Sequence, residues 1–114
     1  MGTLIEQLQA ELLAWEGVTV CPHRFGGIEF QYRGRELGHL HGDRVADFPF
    51  PRAVRDELVA SGRAHPHHRF PDSGWVTFYI RGADDAADAV ALFRLQYERM
   101  HSGSTRPTAG PAEP

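Results

Sequence analysis

Lysine and asparagine are absent from this chain of 114 residues, and all twelve basic residues are arginine. Without lysine there is no Schiff-base nucleophile and no phosphate-binding P-loop. The single cysteine, Cys21, excludes an internal disulfide and fits a reducing compartment. No apolar run is long enough to span a bilayer. The opening stretch from Met1 to Leu13 carries Glu6 and Glu11 and no basic cluster, unlike a secretory signal, so a cytoplasmic location is expected. A net charge of -3 argues against a nucleic-acid partner. The length is too short for a closed α/β barrel and suits one domain.

What is present patterns as helix, sheet, helix, strand, helix. Thr3-Leu4-Ile5-Glu6 is a capping box, in which the threonine oxygen takes the amide three residues on and the glutamate reaches back. Leu4, Ile5, Leu8, Leu12 and Trp15 follow at helical spacing, and Gly17 suits a left-handed stop, so the first helix is expected from Leu4 to about Glu16. Val18-Thr19-Val20, Ile28 to Tyr32, Arg35 to His41 and Arg44 to Phe48 read as strands. Pro51, Val54, Leu58 and Gly62 mark a second helix, and Ala64 to Phe70 has extended character. Gly74 to Ile80 is apolar on both faces and reads as a central strand. Asp84 and Asp85 open a last helix with the stripe Ala86, Val90, Phe93, Tyr97 and Met100. The sum is an α+β domain over 1–101, an antiparallel sheet of about five strands with three helices in two layers. Residues 102–114, rich in Gly, Ser, Thr, Pro and Ala, are expected to be a disordered tail.

Register can be counted through two tight turns. A two-residue loop at Arg33-Gly34 pairs Tyr32 with Arg35, Phe30 with Leu37 and Ile28 with His39. A two-residue loop at Gly42-Asp43 pairs His41 with Arg44, His39 with Ala46 and Leu37 with Phe48. Opposed residues share a face, so His39 and His41 are expected on the apolar, helix-covered side, with Asp47 on the other. A slip of one residue would reverse that.

The concentrated chemistry is histidine. His39-Leu40-His41 projects two imidazoles the same way, about 7 Å apart along a strand, a spacing that suits two ligands of one metal ion. His65-Pro66-His67-His68 adds three more just before Ser73-Gly74-Trp75. If the stretches meet, the expected pocket is lined by His39, His41, His67, His68, Ser73 and Trp75. His39, His41 and His67 are the candidate ligands of a transition metal, with His68, Asp43 and Asp47 as other third ligands. The plainer accounts are hydrogen-bonded core histidines and a solvated loop. A Ser73–His hydrolase would want a G-x-S-x-G elbow, which is missing. Phe25-Gly26-Gly27 reads as a tight bend or bulge of close backbone approach. From Arg24 to Arg69 there are eight arginines against six acids, which admits an anionic ligand.

At His23-Arg24-Phe25-Gly26-Gly27, Glu36 to Gly42, Asp47-Phe48-Pro49-Phe50-Pro51, Gly62-Arg63-Ala64 and Pro71 to Trp75, the chain resembles the luciferase-domain family of small bacterial and fungal proteins, over roughly Leu12 to Met100. Arg24-Phe25-Gly26-Gly27 with the alternating strand after it also resembles the opening of the TfoX amino-terminal domain, and the run from the second helix through Trp75-Val76-Thr77 to the last helix, with Tyr97, resembles the MmcQ/YjbR proteins, which implies a small sheet with helices. No flavin or adenylation fingerprint accompanies the resemblance. Three readings stay open: a pocket for a small ligand or a metal, a metal-dependent enzyme, and an interaction module with structural histidines.

Overall fold

A computed structural model describes residues 3–23, 26–41, 44–70 and 73–102. The expected tail therefore lies outside the described residues, apart from Ser102, as do Gly42-Asp43 and Pro71-Asp72. The elements run α1 (Leu4–Leu13), β1 (Val18–Pro22), β2 (Ile28–Tyr32), β3 (Arg35–His41), β4 (Val45–Pro49), α2 (Arg52–Ala60), β5 (His65–Pro66), β6 (Trp75–Tyr79) and α3 (Ala83–His101). All neighbouring strands pair antiparallel, in the order β1-β2-β3-β4-β6-β5. This is the expected α+β architecture, with the two-residue β5 as a sixth strand.

The capping box forms as read: the Thr3 hydroxyl accepts from the Glu6 amide, and the Thr3 amide donates to the Glu6 carboxylate at 2.8 Å. The helix stops at Leu13, short of Glu16, because the chain tightens into a turn in which the Trp15 amide donates to the Leu12 carbonyl. Gly17, with φ +83°, then turns the chain into β1. α3 buries Ala86, Ala89, Leu92, Phe93, Gln96, Tyr97 and Met100, a wider stripe than its apolar periodicity shows. Gln96 is accommodated because its amide donates to the Pro49 carbonyl at 3.0 Å.

The faces of the sheet follow from the observed register, which differs from the counted one at both turns. Tyr32 does pair with Arg35, but the ladder then shifts between Phe30 and Gln31. Gln31 faces Glu36, while Phe30 faces Gly38, so β3 bulges at Leu37. At the next turn the pairs are His41 with Val45, Leu40 with Ala46 and His39 with Asp47, so three residues rather than two separate the paired positions. Each change reverses parity. Phe93 of α3 packs edge-on against Phe30 and Phe48, with centroids 5.2 and 4.6 Å away, so Phe30, Gly38, Leu40, Ala46 and Phe48 face the helices. His39, His41, Asp47, Thr77 and Trp75 occupy the opposite face. The expectation that the two histidines lie under the helices, across from Ala46 and away from Asp47, is thus corrected.

The two faces are chemically distinct. Twenty buried apolar side chains form one cluster; among the described residues Trp75 is the only buried apolar side chain outside it. The core therefore sits between the sheet and the helices, and Trp75 belongs to the polar side.

At Gly38, β3 lies close against this core. A Cβ there would lie 2.8 Å from Phe48 Cδ1, 2.9 Å from the Asp47 carbonyl oxygen and 3.0 Å from Phe93 Cε1. Gly38→Ala is expected to lower stability by about 1–3 kcal/mol through overpacking. Chemical denaturation tests this, and an unchanged midpoint would show that β3 can move off the Phe48–Phe93 pair.

Candidate metal centre

The polar face is organised around one carboxylate. Asp47 lies in β4, between β3 and β6, and is fully buried. Its Oδ1 accepts from the Thr77 hydroxyl of β6 at 2.7 Å. Around Oδ2 stand the Nε2 atoms of His41 at 2.9 Å, His39 at 3.4 Å, His68 at 3.5 Å and His67 at 3.6 Å. Two separate segments meet there: β3 contributes His39 and His41, and the segment after β5 contributes His67 and His68.

Despite those neighbours, Oδ2 has no aligned hydrogen-bond donor among the described residues. A buried carboxylate oxygen in that condition is costly unless something else compensates it. His41 Nε2 is also 3.0 Å from His39 Nε2, and a single N–H can serve only one of its two neighbours. Burial alone would raise the Asp47 carboxyl. The Thr77 hydroxyl and the imidazoles of His39 and His67 beside it outweigh that and hold it well below the usual carboxylate range.

Each imidazole is held by its own surroundings. His39 is fully buried, with its ring stacked on His23 at 3.9 Å and tilted against Trp75 at 5.4 Å. Its Nδ1 is 2.6 Å from Glu36 Oε2. His23 is brought there by the bend at Gly26 and Gly27, both left-handed, with Gly27 so close to β3 that a Cβ would collide with the Leu40 carbonyl. His67 is buried, and its Nδ1 accepts the Arg69 and Phe70 amides, each at 3.2 Å. His41 and His68 have side chains 32 % and 38 % exposed, so they form the solvent-facing rim.

The donors His39 Nε2, His41 Nε2 and Asp47 Oδ2 are 3.0, 3.4 and 2.9 Å apart. Three atoms so spaced lie on a circle of radius about 1.8 Å, less than the roughly 2.0–2.1 Å at which zinc meets imidazole nitrogen. One point can therefore lie within bonding distance of all three. Two further ligand groupings touch this one: His23 with Glu36 and His39, and Asp47 with His67 and His68.

Of the residues singled out in the sequence, His39, His41, His67 and His68 converge, and Trp75 packs against His39 and His67. Ser73 braces a turn instead: its hydroxyl donates to the Phe70 carbonyl at 2.7 Å and accepts the Trp75 amide. His65 is exposed and rests against Tyr79. Sequence reasoning missed His23, Glu36 and Thr77 as neighbours, and it had set His39 and His41 on the face away from Asp47. Gly38 inside a strand was the available signal, since such a glycine often marks a bulge.

The depressed Asp47 carboxyl implies a pH dependence. The ionised group stabilises the fold above its unfolded-state value, about 3.9, and that contribution is lost as pH falls through the lower folded-state value. In metal-free protein the stability difference between wild type and Asp47→Asn should therefore shrink as pH drops below about 4. Denaturation midpoints of the pair across that range are the check; a difference that grows on acidification would contradict it.

No curated protein and no solved structure matches the chain. A family model described as "Luciferase domain" matches residues 34–96, a span that begins just before β3 and ends within α3 and so contains all of the converging residues except His23. The chain belongs to the luciferase-domain family.

Proposed function

We propose that the protein works through one first-row divalent transition metal ion held by His39 Nε2, His41 Nε2 and Asp47 Oδ2. The observation that carries this is the buried Oδ2 of Asp47, which has four imidazole nitrogens within 3.6 Å and no aligned hydrogen bond. Two histidines and one carboxylate on one side of an ion leave its other positions for exogenous ligands. When bound, such an ion supplies Lewis acidity or a redox centre. The spacing among the donors suits an ion better than an organic molecule, so a small ligand, anionic or otherwise oxygen-donating, would approach from the rim of His41 and His68.

The remaining groups have distinct tasks. Thr77 fixes the rotation of the Asp47 carboxylate through Oδ1. His67, expected as a third ligand, is better suited as a donor. Its Nδ1 accepts two backbone amides, so the neutral ring carries its proton on Nε2, toward Asp47. That proton would help aim Oδ2. An interaction module with purely structural histidines is less well supported, since the exposed large apolar side chains among the described residues are only Leu4, Leu13 and Tyr79.

Elemental analysis and titration with zinc, nickel, cobalt and iron should show one equivalent bound and a raised melting temperature. His39→Ala, His41→Ala and Asp47→Ala should abolish that rise, whereas His67→Ala should lower affinity only about 10–100-fold, as loss of an outer partner does. Binding should weaken with acidification, because protons compete for the same nitrogens. No retained metal together with an unchanged melting temperature in every titration would overturn the proposal and leave a metal-free histidine pocket.

A further inference from the structure

We infer that Glu36 is the positioning residue of this centre: from the Leu37 bulge it holds the proton of His39 on Nδ1, so that Nε2 presents a lone pair toward His41 and Asp47. The inference rests on the metal reading for its purpose, though its geometry stands alone.

In a regular strand, residues three apart project to opposite faces. Glu36 and His39 are three apart, yet Glu36 Oε2 is 2.6 Å from His39 Nδ1. The bulge makes this contact available. With Gln31 opposite Glu36 and Phe30 opposite Gly38, Leu37 is the extra residue, and Glu36 moves to the face of His39. Leu37 itself is fully buried, so the bulge is pinned by a core side chain and not by the carboxylate it delivers. Gly38 completes the device by letting the bulged strand lie against Phe48 and Phe93.

The proton assignment follows from the partners. An ionised carboxylate only accepts, so the His39 nitrogen facing it carries hydrogen. The neutral ring then has its lone pair on Nε2, the atom 3.0 Å from His41 and 3.4 Å from Asp47. A carboxylate behind a ligating imidazole also raises the basicity of the ring. His23, stacked on the same ring, keeps it from rotating. His39 and His67 thus take opposite tautomers around one carboxylate: one offers a lone pair, the other a proton.

Two measurements test this. Long-range proton–nitrogen NMR of the metal-free wild type above pH 8 should show His39 protonated on Nδ1 and bare on Nε2, and His67 the reverse. Zinc affinity, measured by competition with a chromophoric chelator, should fall about 10–100-fold in Glu36→Ala. Glu36→Gln, which keeps an acceptor oxygen but loses the charge, should fall between that variant and wild type. If Glu36→Ala does not fold, Glu36→Gln carries the affinity test. Wild-type affinity in the variants, or a His39 proton on Nε2 in the wild type, would overturn the role of Glu36. A wild type that binds no zinc but shows the Nδ1 proton on His39 would instead defeat the metal reading and leave the positioning role standing.

Discussion

An ionised carboxylate buried in the interior of a sheet has to be compensated, and the polar half of this molecule is the arrangement that does so. Asp47 is fully buried on an inner strand, flanked by β3 and β6. Each flank supplies a group at the same level of the sheet, His39 on one side and Thr77 on the other. The loop after β5 closes over the top with His67 and His68. A lone buried charge would cost several kcal/mol even after relaxation, so these contacts stabilise the fold.

The sheet divides labour between its faces. One side carries a single apolar cluster under the helices, with Phe93 set between Phe30 and Phe48. That side supplies the burial that stabilises the fold. The other carries imidazoles, carboxylates and Trp75. The packed side fixes strand positions, and the strands in turn place the imidazoles and carboxylates. No helix among the described residues is long and apolar enough to cross a membrane. His41 and His68 keep partial contact with solvent, whereas His39, Asp47 and His67 do not.

Much of this was legible from residue order alone. Local chemistry dictated the capping box at Thr3, the helices opened by Pro51 and by Asp84 and Asp85, and the strands on either side of Arg33-Gly34, because each depends on residues within a few positions of one another. The grouping of His39, His41, His67 and His68 was also readable, since an alternate-residue pair on a strand and a histidine-rich loop before a buried strand leave few other places for so many imidazoles.

Which face those imidazoles occupy, and what stands beside them, was decided only by the assembled sheet. One extra residue at Leu37 and one more at the turn after His41 each reversed the parity of side chains. Neither changes local propensity enough to be seen in the alternation of apolar residues. The first is set by long-range packing, in which Leu37 must be buried and Gly38 must admit Phe48 and Phe93. Residue order therefore specified a strand with two histidines. The tertiary structure turned that strand over, away from Ala46 and the helices, and set His39 against Asp47 with Glu36 behind it.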